Sequence, residues 1–277
     1  MFLNGTLFNS EAWHGISNAD VEMLEKVDEA LLRGLLGAHA KVPLEALFLE
    51  TGTVPIRFIL KTRRLCYLKT ILKRDSEELI REVYDAQKAD PIEGDFFQLV
   101  EMDASEISLN MSEDEIIMMK EDKYKVIVKK KVRQAAFNYL KQLKVKHSKM
   151  DNLVYEKLEM SKYLNSPMFD FHNIQMLFAI RTRTVRTIKT DFSGMYPDVD
   201  CPMGCGQTDT LPNILTCPVL QVHMMTDSLT NDAVKYEDVF STDIKKQKQV
   251  TELFRQLLEI RGKKLNCQPA AITGPLH

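Results

Sequence analysis

Apolar residues along this chain recur mostly at helical spacing, and turn residues interrupt the pattern at a few marked places. Ser17 and Asp20 are spaced as a capping box, with Ile16 and Val21 set as a staple across it, so a helix is predicted to start near Ser17. Leu24, Val27, Leu31 and Leu35 carry it forward on one face, and Gly37 is its natural stop. Pro43 opens a short second helix through Glu50, and Pro55 opens a third that runs to about Arg74. In the third, Ile56, Ile59, Leu60, Tyr67, Leu68 and Ile71 can face inward, while Arg57, Lys61 and Arg64 form a separate stripe at i, i+4 and i+7. Three helices with short joins predict a bundle.

Residues 75–119 read as weaker helices with a break around Asp90-Pro91 and Gly94. Across 120–146 the pattern sharpens. Val128, Val132, Ala135, Tyr139 and Leu143 make one apolar stripe, with lysines over most of the remaining surface. A linker near 161–167 precedes a helix over about 173–186, and Gly194, Pro197, Pro202, Gly204, Gly206 and Pro212 mark 191–217 as irregular. A last amphipathic helix is predicted over roughly 241–261, with Val250, Leu253, Phe254, Leu257 and Leu258 on one side. The expected fold class is therefore mostly α.

Composition adds limits. Hydrophobic residues at 44% suffice for a core, and 11 Gly with 10 Pro are few for 277 residues, which favours helices over a turn-rich β protein. No apolar run approaches a membrane span, and Met1 to Trp13 lack the basic start of a signal peptide, so an intracellular protein, nuclear or cytoplasmic, is expected. The net charge of −2 averages over a strong segregation. Residues 57–74 hold seven basic side chains and no acid, 75–119 hold fourteen acids against Arg81 and Lys88, and 120–149 hold eleven basic residues against Glu121 and Asp122. Basic blocks this dense suggest a polyanionic partner, although solvated helix faces have the same composition. Three of the five cysteines, in the pattern Cys201-x3-Cys205-x11-Cys217, suit a metal site in a reducing compartment better than a disulfide framework. Cys66 and Cys267 stand apart from them.

Several phrases of the sequence point further. Asn9-Ser10-Glu11-Ala12-Trp13, Leu24-Glu25-Lys26-Val27-Asp28-Glu29, Leu31-Leu32-Arg33, Leu36-Gly37-Ala38, Lys41-Val42-Pro43, Glu45-Ala46, Pro55-Ile56-Arg57 and Arg63-Arg64-Leu65 together resemble the stretch that follows the polymerase core in non-LTR (LINE-type) retrotransposon reverse transcriptases. The resemblance resumes at Lys130-Lys131, His147-Ser148-Lys149, the cysteine loop and Tyr236 to Arg261, and so covers nearly the whole chain. It implies a thumb-like helical bundle over 1–74, a helical connector over 75–165, and a helix with a zinc-knuckle-like module and final helix over 166–265; the terminal stretch 266–277 is expected by its position to be a disordered tail.

The same resemblance implies nucleic-acid handling within RNA-directed DNA synthesis, with RNA, an RNA–DNA hybrid or DNA held by its backbone. Arg57, Lys61, Arg63 and Arg64 are the first expected phosphate contacts, then Lys129, Lys130, Lys131 and Arg133, then Arg181, Arg183 and Arg186. Reverse transcription itself needs paired aspartates for two magnesium ions, which the family supplies in an aromatic-x-Asp-Asp motif. This sequence has no adjacent aspartates, so magnesium belongs to a polymerase core outside it, and the chain by itself is expected not to be an enzyme. Without that core, Phe2, Leu3, Leu7, Phe8 and Trp13 are expected to form an exposed apolar patch. In the cysteine loop, family members carry a histidine four residues before the last cysteine. That position is Asn213 here, and His223 is the nearest replacement for a Cys201, Cys205, Cys217, His223 zinc site. The alternative to nucleic-acid binding is a helical protein-interaction module in which the segregated charges serve a protein partner or one another.

Overall fold

The computed structural model describes residues 7–13, 16–146, 150–185, 200–224 and 234–267, without the side chains of 223, 224 and 264–267. These residues are mostly helical and contain no strand. The helices are α1 (Asn18–Leu36), α2 (Leu44–Thr51), α3 (Ile56–Leu72), α4 (Leu79–Ala89), α5 (Phe96–Glu106), α6 (Glu113–Met118), α7 (Glu121–Lys144), α8 (Phe171–Arg181), α9 (Leu211–Thr216), α10 (Pro218–Met224) and α11 (Ile244–Cys267). Short 3-10 turns lie at Ser10–Ala12, Lys162–Asn165 and Tyr236–Phe240. Of the tail expected to be disordered from 266, residues 266 and 267 are the last of α11, and 268–277 lie outside the described residues.

Contacts divide the chain into a first unit of Met1–Leu32, Leu47–Lys146 and Tyr155–Met160, and a second of Arg33–Ala46, His147–Val154 and Ser161–His277. No boundary falls near residue 74, because helices on both sides of it share one core. In the first unit α3 is the hub, with α7, the Ser10–Ala12 turn and α5 as its most extensive neighbours and α4 and α6 beside them. A bundle of the first three helices alone would have packed α3 chiefly on α1 and α2.

Pro55 starts α3, its carbonyl accepting from Phe58 and Ile59. Ile56, Phe58, Leu60, Leu65, Leu68, Ile71 and Leu72 are buried over more than half of the helix's circumference, and so are Arg64 and Lys69, while Ile59, Thr62, Arg63 and Cys66 are half-buried and Thr70 is exposed. A helix face buried this widely is normally apolar. Where it is not, each buried polar group needs a partner, since an unpaired one costs about 1–3 kcal/mol. Lys69 meets this need by donating to the Ile116 carbonyl and, at 2.6 Å, to that of Met119, at the carboxyl end of α6, with its ammonium 5.4 Å from the Tyr124 ring. Burial, then repulsion from Lys73, holds that ammonium's pKa below the usual lysine value, while Glu121 pulls the other way. Tyr124 donates in turn to the Leu65 carbonyl at 2.9 Å.

The amino-terminal residues cover one side of α3. Leu7 is fully buried with Ile56 and Leu60, and Trp13, Ile16, Val21, Leu24 and Ile59 pack around them. The expected open patch is thus closed at Leu7 and Trp13, leaving Phe8 exposed, while Phe2 and Leu3 lie outside the described residues. The Ser17–Asp20 box is present, with Ser17 N donating to Asp20 at 2.9 Å and Asp20 N to Ser17 Oγ at 3.2 Å. The apolar stripe that follows points the other way from expectation. Val27, Leu31 and Leu35 are 42, 48 and 58% exposed, and α1 buries Asp28, Leu32 and Leu36 instead. Both faces of α1 carry leucines, so periodicity could not choose between them. In α7 the buried positions are Tyr124, Val128, Val132, Ala136, Phe137 and Leu140, with Ala135, Tyr139 and Leu143 at its margins.

Residues 155–160 close the first unit. Gly52, at φ +65°, lets the Glu159–Met160 backbone pass where any Cβ would collide with it. Arg133 of α7 donates to the Gly52 carbonyl at 3.0 Å and the Leu158 carbonyl at 2.6 Å, tying these segments together.

In the second unit α11 is the hub, packed against α8, α9, α10 and the two 3-10 turns. Val250, Phe254 and Leu257 bury fully against Leu177, Ile180, Leu211, Ile214, Leu220 and Val239. Asp170 caps α8, accepting from Asn173 N at 2.7 Å. That helix stops at Arg181, short of the expected 186, where the Thr182 hydroxyl folds back on the Phe178 carbonyl and Arg183 turns left-handed at φ 54°.

Candidate functional site

The basic residues of the first unit occupy two settings. On α3, Arg57 makes a forked pair with Glu25, at 2.7 and 2.6 Å, and lies 5.3 Å from the Tyr139 ring. Lys61 reaches Glu106 at 2.5 Å and Asp103 at 3.3 Å. Arg64 forks onto the same Asp103 at 2.8 and 3.2 Å, and both side chains are almost wholly buried. The stripe that the sequence presents as a phosphate grip is therefore balanced inside the unit, chiefly by the acidic helix α5.

The second setting is a groove between α3 and α7 with a volume of about 640 Å³. Val54, Ile59, Thr62 and Val132 line it together with Arg63, Lys129, Lys130 and Arg133, and no carboxylate is among its lining residues. Its two arginines are anchored from behind. Arg63 donates to the Leu7 carbonyl and, at 3.2 Å, to Ser10 Oγ, with Glu11 3.8 Å away, and Arg133 holds the two carbonyls described above. Lys129 and Lys130 are exposed, and no ion pair engages either among the described residues. Lys131, one residue on, donates to the Ser108 carbonyl at 2.9 Å, just past α5. The groove thus joins members of two basic blocks that are far apart in sequence, a convergence that block composition does not reveal.

The third set lies in the second unit, and its described members do not gather into a surface. Arg181 is buried, donating to the Val239 carbonyl at 2.8 Å and sitting 5.5 and 5.8 Å from the Tyr163 and Phe240 rings, which leaves it no open face. Arg183 is half-buried, and Arg186 lies outside the described residues.

The cysteine loop is the other constellation. Gly204 and Gly206 adopt φ of +75° and +74°, and Cys201 both donates its amide to the Gln207 carbonyl at 2.6 Å and accepts from Gly204 N at 2.8 Å, which coils the loop on itself. Cys217 follows α9 directly. The three sulfurs lie within 4.8 Å of one another, with Cys201 and Cys217 3.9 Å apart. Zinc bonded to sulfur at about 2.3 Å would set tetrahedral corners about 3.8 Å apart, so the donor set fits a metal of that size and softness. Burial, foremost, pushes the Cys201 thiol up to about 11. Burial works the same way on Cys205, but hydrogen bonds from the Gln207 backbone, Cys201, Asn213 and Cys217 bring it below its ordinary value. Asp209 and Arg261 form a buried pair at 2.6 Å that fastens the loop to α11. His223 is part of α10, but its side chain lies outside the described residues. Sequence reasoning set Asn213 aside, yet this buried residue lies 3.7 Å from Cys205 Sγ. Its spacing from Cys217 and the capping Thr210 before it were the available signals.

No helix among the described residues is long and apolar enough to cross a membrane. Set against known proteins, the chain matches no family model, no curated protein and no solved structure.

Proposed function

We propose that this chain is a nucleic-acid-binding, carboxy-terminal part of a non-LTR retrotransposon reverse transcriptase, without the catalytic core. The reading rests on the sequence resemblance, and the observation that carries it is the α3–α7 groove, where four cations converge with no carboxylate in the lining and only Glu11 near one of them, Arg63. Arg63 and Arg133, fixed by backbone carbonyls, frame the groove, and Lys129 and Lys130 reach from it into solvent. Fixed guanidiniums and mobile ammoniums suit a phosphate backbone and read no base sequence. Zinc at Cys201, Cys205 and Cys217 has a structural role in this proposal, and magnesium chemistry stays with the polymerase core. Primer extension by the isolated chain should not exceed a mock preparation, since the sequence lacks the adjacent aspartates that would hold the two metals.

Binding of an RNA–DNA hybrid, followed by fluorescence anisotropy across a salt series, tests the proposal. Each phosphate neutralised contributes a slope of about −0.9 in log K against log salt on B-form DNA. Replacing Lys129 and Lys130 with Gln should flatten the slope by nearly two units, whereas Arg57→Gln and Lys61→Gln should leave it near the parent value. Absence of binding at low salt would favour a helical protein-interaction module. Two observations favour that second reading, namely the internal pairing of Arg57, Lys61 and Arg64 and the exposed Met23, Val27 and Leu31 on α1.

A further inference from the structure

We propose that Asn213 takes the fourth corner of the cysteine site through its side-chain amide, so that a zinc ion is held by three thiolates and one weak, exchangeable oxygen. This inference rests on the zinc reading above and goes beyond it in naming the fourth ligand.

The placement of Asn213 is set by the backbone. Thr210 caps α9 by accepting from Asn213 N at 3.3 Å, and Pro212 lies in the first turn of the helix, so residue 213 is delivered to the loop whatever its side chain. The side chain is 5% exposed, and both its Oδ1 and its Nδ2 lie 3.7 Å from Cys205 Sγ. The edge between two corners of a tetrahedron with metal–ligand bonds of about 2.0–2.3 Å is about 3.3–3.8 Å, so 3.7 Å is a corner-to-corner spacing. Cys201 and Cys217, 3.9 Å apart, give a second spacing of the size a tetrahedral edge requires.

An amide oxygen is a neutral, hard donor, poorly matched to a cation that three thiolates have made soft. It can close the site without binding tightly, and water can displace it. The module would then hold its metal less firmly than a site completed by histidine. Turning the amide over presents its Nδ2 to the Cys205 thiolate as a hydrogen-bond donor, which gives Asn213 a role in the metal-free chain as well.

Cobalt titration of the full chain, read from its ligand-field bands and followed by zinc competition, tests the assignment. Asn213→Asp, of the same size, and Asn213→His replace the amide with donors that zinc prefers. Each should raise zinc affinity by about tenfold or more, since even residues behind the ligands change affinity on that scale. Asn213→Ala should keep the thiolate bands but add the signature of bound water, and His223→Ala should match the parent. Far-UV circular dichroism on every variant identifies any that fail to fold, and the isosteric Asp carries the test if His does not fit. If the parent binds cobalt tetrahedrally and loses this on His223→Ala while Asn213→Asp and Asn213→Ala change nothing, the fourth corner is not Asn213. If the parent binds no metal at all, the zinc reading falls first and this inference with it.

Discussion

Helices α3 and α7 are both dense in basic residues and pack side by side, yet their charges serve opposite ends. Those of α3, apart from Arg63 in the groove, are chiefly turned into the unit. Arg64 and Asp103 form a nearly dry pair, Lys61 joins them, Arg57 clasps Glu25, and Lys69 caps the carboxyl end of α6. Those of α7 stay at the surface, where Lys129 and Lys130 have no ion pair among the described residues. The difference lies in the number of neighbours. A helix packed by five elements must satisfy its inward charges from within, whereas charges on an open side can stay in water. Charge density along a sequence therefore indicates where cations are, and burial decides for whom.

Four substitutions would break or sharpen this contrast. The largest effect is expected from Asp103→Ala, which leaves the buried Arg64 guanidinium unpaired and should cost about 3–5 kcal/mol in urea unfolding, as is usual when half of a buried ion pair is removed. Lys69→Met comes next. It strips the Ile116 and Met119 carbonyls of their donor and should cost about 1–3 kcal/mol at neutral pH. Its pH dependence checks the cause. The folded pKa of Lys69 is lowered, so as pH rises toward the unfolded value of about 10.4 the folded chain sheds this proton before the unfolded chain does. The stability of the parent should accordingly rise with pH relative to Lys69→Met across that window, and a flat difference would mean that Lys69 is not held as a buried cation. Glu106→Gln, at a half-exposed carboxylate, should cost no more than about 1 kcal/mol. Lys129→Gln should move stability by less than about 0.5 kcal/mol. A Lys129→Gln cost as large as that of Asp103→Ala would erase the distinction between the two helices.

Much of the architecture was legible because local signals carried it. Ser17 and Asp20 cap α1, Pro55 starts α3, and Val250, Phe254 and Leu257 form the inward face of α11, all as their spacing implies. What failed was the choice between faces. Leu31 and Leu32 are equally apolar neighbours on α1, and only the identity of the packing partner decides that Leu32 goes in. The α3 stripe failed for the same reason, since the carboxylate that neutralises Arg64 lies 39 residues further on. At the cysteine loop, spacing brought out the three thiols, because a turn with two glycines is a local device. The position of Asn213 beside them depends on how α9 returns to that turn.

The enclosure of α3 also sets how the first unit breathes. Amide hydrogens exchange with solvent through the smallest opening that frees them, and frayed or single-sided helices exchange through local fluctuations. The middle of α3 is the part of the unit hardest to free by a local fluctuation, because α4, α5, α6, α7 and the Ser10–Ala12 turn all pack against this helix. Its amides from about Leu60 to Leu68 should be the slowest to exchange in the unit, at a rate that measures global unfolding directly. Outer-face amides of α1 around Val27 and Leu31 should exchange orders of magnitude sooner. Isotope exchange would then register two separate events in one molecule, the loosening of a surface helix and the opening of the whole unit around its central one.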